Sequence, residues 1–258
     1  MAVTEVHLAK GGALERMVSF TAILPEGKPG PFPVLYLLHG GGDDHTAWVR
    51  RSSIERHADK YPMIIVMPNG EMGWYTDSKA IPHSKFETFI AKDLVSFVDN
   101  TFATVPTRAG RAIAGLSMGG YGTLKLAIKH PDVYCAAYAM SASTTVSNRD
   151  GESSWDVEYR LKLGDRPVGG PEDIFYLYEH ADRSTIPALT FNCGVDDFLL
   201  EDNRRLHNAL TEMKFPHSYT EYAGAHTWDY WDTHIQDGLA WLAPLLGIAP
   251  RAEKVAVA

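Results

Sequence analysis

Apolar residues follow two different rhythms along this chain. Residues 33–38 (PVLYLL), 63–67 (MIIVM), 111–116 (RAIAGL), 134–141 (YCAAYAMS) and 188–193 (ALTFNC) are short runs with few polar positions. Such runs predict strands of a parallel sheet, because a strand covered on both faces loses the in-out alternation. Between them the period is helical. Phe86, Phe89, Ile90, Leu94, Phe97 and Val98 form one stripe over residues 86–102, with Glu87, Lys92, Asp93 and Asp99 expected to face outward. Helices are also expected over residues 46–60, 119–130, 199–213 and 228–246, and a strand over 217–222. Residues 5–24 alternate around the Lys10-Gly11-Gly12 turn and read as two antiparallel strands at the sheet edge.

The alternation of strand and helix predicts an α/β architecture: a mostly parallel central sheet flanked by helices. The rhythm breaks over residues 142–183, a polar stretch rich in Gly, Ser and Asp with one helix near 174–180. That stretch reads as a small cap insertion in a single domain over residues 1–250, with 251–258 as a disordered tail.

Composition narrows the function. At 258 residues and 45% hydrophobic, the chain is long enough for one sizeable core. A formal charge of −8, with no basic cluster longer than the pairs Arg50-Arg51 and Arg204-Arg205, argues against nucleic acid as a partner. No window approaches the roughly eighteen apolar residues of a membrane helix, and the start MAVTEVHLAK carries no basic-then-apolar leader, so a cytoplasmic protein with no membrane partner is expected. Cys135 and Cys193 fall within or beside apolar runs and read as reduced core thiols.

Gly115-Leu116-Ser117-Met118-Gly119 is a G-x-S-x-G match between an expected strand and an expected helix. In that setting the pattern is a nucleophile elbow, whose sharp turn strains the serine and leaves no room for side chains two residues to either side. The alternative, an ordinary serine cap, leaves His39-Gly40-Gly41-Gly42 after the strand 33–38 unexplained. Glycines there suit the second half of an oxyanion hole. The amides of Gly41 and Met118 are the expected donors, with Gly42 the alternative to Gly41, and His39 is expected to hold the loop.

A serine hydroxyl needs a base, and the base needs a carboxylate behind it. The elbow implies the chain order Ser, Asp, His. Asp196 and Asp197 end the strand 188–193, and either is also a plausible helix cap; Asp197 is the preferred acid. Among 11 histidines only His226 lies in a glycine-flanked loop after a strand, while His180, His207, His217 and His234 fall in or at the ends of regular elements. His226, Asp229, Asp232 and His234 match no zinc spacing, and with no phosphate loop or dinucleotide fingerprint no cofactor is implied.

These residues, with the segments 35–48 (LYLLHGGGDDHTAW), 67–78 (MPNGEMGWYTDS), 114–127 (AGLSMGGYGTLKLA), 192–206 (NCGVDDFLLEDNRRL) and 223–231 (AGAHTWDYW), resemble the esterase D-like family of esterases. That family includes S-formylglutathione hydrolases, tributyrin-type esterases, feruloyl and acetyl-xylan esterases, and mycolyltransferases. The resemblance covers residues 5–245 and implies the α/β-hydrolase fold. Its acid, three residues after the glycine of the fourth segment, falls on Asp197, and its base aligns with His226.

Trp74 and Tyr75 lie in a segment that, in the tributyrin and carbohydrate branch, lines the site; Trp48, Trp155 and Trp228 are further candidates for an aromatic wall. Gly41-Gly42-Asp43-Asp44, without a nearby cysteine, departs from the S-formylglutathione hydrolase branch. The resulting expectation is a serine carboxylesterase acting on short acyl, or acetyl or feruloyl carbohydrate, esters through an acyl-serine. An acyltransferase, a thioesterase of the S-formylglutathione type, and a binding protein with a vestigial triad are the rivals. A small-molecule ester, in one version an acylated sugar, is the expected partner, and the family makes a homo-oligomer plausible.

Overall fold

The computed structural model describes residues 1–27, 29–146, 154–164 and 168–250, and of 154–158 the backbone only. Eight strands, β1 (Ala2–Leu8), β2 (Val18–Leu24), β3 (Val34–Leu38), β4 (Ile64–Pro68), β5 (Arg111–Leu116), β6 (Ala136–Met140), β7 (Ala188–Gly194) and β8 (Ser218–Tyr222), form one sheet. Its order is β1-β2-β4-β3-β5-β6-β7-β8. β1 and β2 run antiparallel at one edge, as β2 does to β4; every later pairing is parallel. This is the α/β-hydrolase fold.

The helices are α1 (Ala47–Arg51), α2 (Ile54–Ala58), α3 (Phe86–Thr88), α4 (Leu94–Thr101), α5 (Met118–Lys129), α6 (Ser154–Leu163), α7 (Ile174–Glu179), α8 (Leu200–Glu212) and α9 (Trp228–Leu245). Both sheet faces are covered, which explains the unbroken apolar runs. In β3, Val34, Tyr36 and Leu38 enter the core beneath α3, α4, α5, α7 and α8, while Leu35 and Leu37 enter a second core beneath α1, α2 and α9. Each side chain reaches an apolar layer whichever way the pleat turns it.

Three expectations change. The helix over 86–102 is interrupted by a π-turn at Phe89–Asp93 between α3 and α4. Glu87 does not face outward: it is 8% exposed and accepts from Lys129 Nζ at 2.7 Å, with His130 Nε2 3.2 Å away. Position 87 lies off the apolar stripe, but α5 packs there and turns its own cations inward, so charge partners substitute for water. Lys125 of α5 is fully buried and donates to Glu172 Oε2 at 2.6 Å and to Thr76 Oγ1. Finally, the 142–183 stretch holds two helices, α6 as well as the expected α7. Both cysteines are free; Cys193 is buried in β7, whereas Cys135 precedes β6 and is only half-buried.

Candidate active site

Strand β3 sits between β4 and β5, so connections leave its two sides in opposite directions and open a crevice at its carboxyl end. The oxyanion loop candidate after β3 and Ser117 after β5 both border that crevice. Ser117 has φ 54° and ψ −116°, a left-handed backbone that costs a non-glycine residue on the order of 1–3 kcal/mol. Its surroundings enforce it. A Cβ on Gly115 would lie 2.5 Å from the Gly119 carbonyl oxygen, and one on Gly119 would lie 2.6 Å from that of His39. The two glycines of the elbow thus let α5 start against the end of β3, with Ser117 half-buried at the turn.

His226 lies in the loop between β8 and α9. Its Nε2 is 3.0 Å from Ser117 Oγ, and its Nδ1 is 2.8 Å from Asp197 Oδ2 and 3.0 Å from Oδ1. A carboxylate only accepts, so Nδ1 carries the proton and Nε2 faces the hydroxyl as acceptor. The loops carrying acid and base are joined through backbone: Val195 N–H donates to Tyr222 O at 2.8 Å and Asp196 N–H to Gly224 O at 2.9 Å. Asp197 has no exposed side-chain surface. Burial alone pushes its pKa up, but hydrogen bonds from His226 and from the Leu199 amide at 2.8 Å outweigh burial and hold it below the ordinary aspartate value. Asp196 is exposed and meets His226 in no hydrogen bond among the described residues. Of the two sequence candidates, the structure brings Asp197 to the histidine.

His39 holds its loop as expected. Nδ1–H donates to Gly40 O at 2.7 Å and Nε2 accepts from the Gly70 amide at 2.8 Å, an arrangement only the neutral ring can make. Burial, the largest influence, lowers its pKa and keeps it neutral. Gly42, the alternative oxyanion donor, has its amide engaged by Met72 Sδ at 3.0 Å. The amides of Gly41 and Met118 carry no hydrogen bond among the described residues.

Two lobes of one cleft meet at Ser117 and His226. One lobe, of about 390 Å³, is walled by Met72, Trp74, Met118, Tyr159 and Phe198. The other, of about 490 Å³, is lined by Gly40, Asp43, Arg51, Trp228, Asp229 and Trp231 among others. Trp74, Gly42 and Trp228 line the cleft. Tyr75 does not: it is 0% exposed and its hydroxyl donates to His39 O at 2.8 Å, behind the loop. Strand-like in-out alternation does not apply to this turn, where Trp74 and Tyr75 both have positive φ and point apart. Trp48 is likewise buried, donating from Nε1 to Leu38 O at 3.1 Å. The Trp155 side chain lies outside the described residues.

Sequence reasoning missed Met72, Tyr159, Phe198, Asp43 and Arg51. Phe198 carried a signal, an aromatic residue beside the acid in a glycine-and-aspartate loop; it is 74% exposed and its ring lies 4.4 Å from that of His226. Among the described residues no group of three or more His, Cys, Asp or Glu is placed to hold a metal ion, and no helix is long and apolar enough to cross a membrane.

Comparison with known proteins identifies the family. The family described as "Putative esterase" matches residues 11–242. An acetyl esterase of Caldicellulosiruptor saccharolyticus is 28% identical over 252 residues, which span 89% of this chain and 94% of that protein. The substrate-bound structure of the fluorophosphonate-binding serine hydrolase F of Staphylococcus aureus superposes with a TM-score of 0.85 at 28% identity, covering 95% of this chain and 98% of that one. An S-formylglutathione hydrolase of the same organism reaches 0.83 at 29% identity with the same coverage. Likeness to this last structure means that the overall fold does not set the chain apart from that branch, whatever the oxyanion loop suggests. The chain belongs to this esterase family, and it is a carboxylic ester hydrolase with the α/β-hydrolase fold.

Proposed function

We propose that the protein is a serine carboxylesterase that cleaves short-chain acyl esters, including acetyl or feruloyl esters of carbohydrates, through a covalent acyl-serine. The observation that carries this reading is the continuous chain Ser117 Oγ, His226 Nε2, His226 Nδ1, Asp197, with steps of 3.0 and 2.8 Å. Ser117 attacks the ester carbonyl while His226 takes its proton. The tetrahedral oxyanion is held by the Gly41 and Met118 amides, the latter at the N-terminus of α5, where the helix dipole favours negative charge. His226 then returns the proton to the leaving alcohol. Water, deprotonated in turn by His226, attacks the acyl-serine and the acid departs. Asp197 keeps the imidazole oriented and balances its transient positive charge.

In this reading the acyl group occupies the lobe walled by Met72, Trp74, Met118, Tyr159 and Phe198, whose apolar surfaces suit a methyl or flat aromatic acyl group. The alcohol leaves through the more polar lobe. Residues 142–183 act as a cap within a single domain: Tyr159 of α6 lines the acyl lobe, and Ser78 Oγ donates to Leu161 O at 2.6 Å to tie α6 down.

The test is turnover of p-nitrophenyl esters of increasing acyl length, together with methyl ferulate, by the intact protein and by Ser117→Ala. Rapid multiple turnover lost in the variant supports the reading. Release of no more than one equivalent of nitrophenol by the intact protein, or an active variant, refutes it.

A further inference from the structure

The polar lobe contains a half-buried carboxylate that the described residues engage through a single hydrogen bond. Asp43 belongs to the oxyanion loop itself, and its backbone amide closes the turn onto Gly40 O at 3.3 Å. Its side chain is only 14% exposed. Yet the carboxylate receives a single hydrogen bond among the described residues, a long one of 3.4 Å from Arg51 Nη1 to Oδ1; Oδ2 receives none. A half-buried carboxylate on a cleft wall keeps acceptor capacity for a ligand that enters the cleft. Asp44, its neighbour, illustrates the contrast, taking the Thr46 amide at 2.8 Å, the Thr46 hydroxyl at 2.5 Å and Arg50 at 3.3 Å.

Burial raises the Asp43 pKa above the ordinary aspartate value, and the nearby Arg51 guanidinium does not fully offset it. That is the direction expected of an anion short of donors. Arg51 is itself drawn the other way: its guanidinium sits over the Trp228 ring, 5.4 Å from the centroid, and more than half of its side chain is exposed. Asp43, Arg51, Trp228 and the exposed Asp229 line the same lobe as Ser117 and His226. Two carboxylates and one guanidinium give that lobe a net negative charge.

We infer that Asp43 is a specificity-determining residue that accepts a hydrogen bond from a second hydroxyl on the departing alcohol, so that the enzyme favours esters of neutral polyols and sugars and disfavours anionic leaving groups. The inference rests on the proposed placement of the alcohol in the polar lobe. A vicinal hydroxyl of the leaving group donates to Oδ2, which no described residue engages. An anionic leaving group gains nothing from Oδ2 and meets the field of Asp43 and Asp229.

Three acetyl esters with matched acyl groups test this: monoacetin, whose alcohol is glycerol; ethyl acetate, whose alcohol has no second hydroxyl; and acetoxyacetate, whose alcohol is anionic. The intact enzyme is expected to prefer monoacetin. In Asp43→Asn, kcat/KM for monoacetin falls about five- to tenfold, consistent with replacing a charge-assisted hydrogen bond by a neutral one. Relative to ethyl acetate, which reports any general effect on the loop, the preference for monoacetin falls and that for acetoxyacetate rises. Asp43→Ala deepens the monoacetin loss beyond about tenfold by the same reasoning. If all three substrates fall together, Asp43 serves the oxyanion loop instead and the inference is overturned; it is overturned equally if none changes, or if intact enzyme prefers ethyl acetate. Failure of the intact enzyme on p-nitrophenyl acetate would instead refute the proposed function, and so is told apart from failure of the inference alone.

Discussion

The hydroxyl of Tyr75 donates to the carbonyl oxygen of His39 at 2.8 Å, so the glycine loop after β3 is held from behind by a residue that never meets the substrate cleft. Together with the Gly70 amide on His39 Nε2, this bond sets the direction in which the Gly41 amide points. Tyr75→Phe keeps the ring, which fills space beside Gly70 and Gly122, and removes only the bond. Unfolding by denaturant is expected to show a loss of about 0.5–1.5 kcal/mol. Activity on p-nitrophenyl acetate should fall severalfold through kcat with KM nearly unchanged, since an oxyanion donor acts in the transition state.

Asp196 and Asp197 are adjacent, but only one is tied to His226. Asp197→Asn replaces an acceptor-only carboxylate by an amide whose NH2 can donate to His226 Nδ1 and favour the wrong tautomer, and kcat should drop by roughly three to four orders of magnitude. Asp196→Asn alters an exposed side chain and should leave kcat within about twofold. Steady-state kinetics on one ester decides the matter, and comparable losses in both variants would reassign the acid.

Gly119 has backbone on the side where a side chain would project. A Cβ there meets the carbonyl oxygens of His39 and Leu38 at 2.6 and 2.7 Å, neither of which can swing aside. Gly119→Ala is therefore expected to destabilise the fold by about 2 kcal/mol or more and to displace the oxyanion loop from the elbow. Gly41→Ala is the control, because a Cβ there meets only the flexible end of Met72 at 3.6 Å. Thermal unfolding of the two variants side by side should rank them in that order.

The Glu87 cluster gives a pH signature. Burial raises the carboxyl, but His130, Lys125 and Lys129 more than reverse it and bring its pKa to about 2, against an ordinary 4.5. A carboxyl whose pKa is depressed on folding stabilises fully above its unfolded value. Its contribution fades as pH falls from about 4.5 toward 2. Asp197, also depressed, adds to stability with the same sign. Glu87→Gln should be less stable near neutral pH, because Lys125 and Lys129 lose a partner, and its stability should change less steeply with acid. Denaturant unfolding at several pH values between about 6 and 2.5 measures both effects.

Much of this was legible before any coordinates. The strands were visible because two apolar layers, one on each face, forced apolar residues at consecutive positions of β3, β4 and β5. Ser117 and His226 stood out because glycines and strand ends mark where backbone must turn sharply; chain order narrowed the acid only to Asp196 or Asp197, and the fold brings Asp197 to His226. What could not be read depended on partners distant in sequence. Glu87 reads as a surface residue until α5 brings Lys129 against it, 42 positions away. Tyr75 and Trp74 read as one motif, but consecutive left-handed residues send one side chain into the core and the other to the cleft. Helix α6 escaped notice because it reverses the usual pattern, exposing Leu161 and burying Lys162.

Reaction with a fluorophosphonate probe, followed by intact mass and peptide mapping, tests the central claim most directly, because it reports which hydroxyl acts as the nucleophile. The account predicts a single adduct on Ser117 in the intact protein and a labelling rate reduced by orders of magnitude in His226→Ala. An adduct on another residue, or equal labelling with His226 removed, would contradict it.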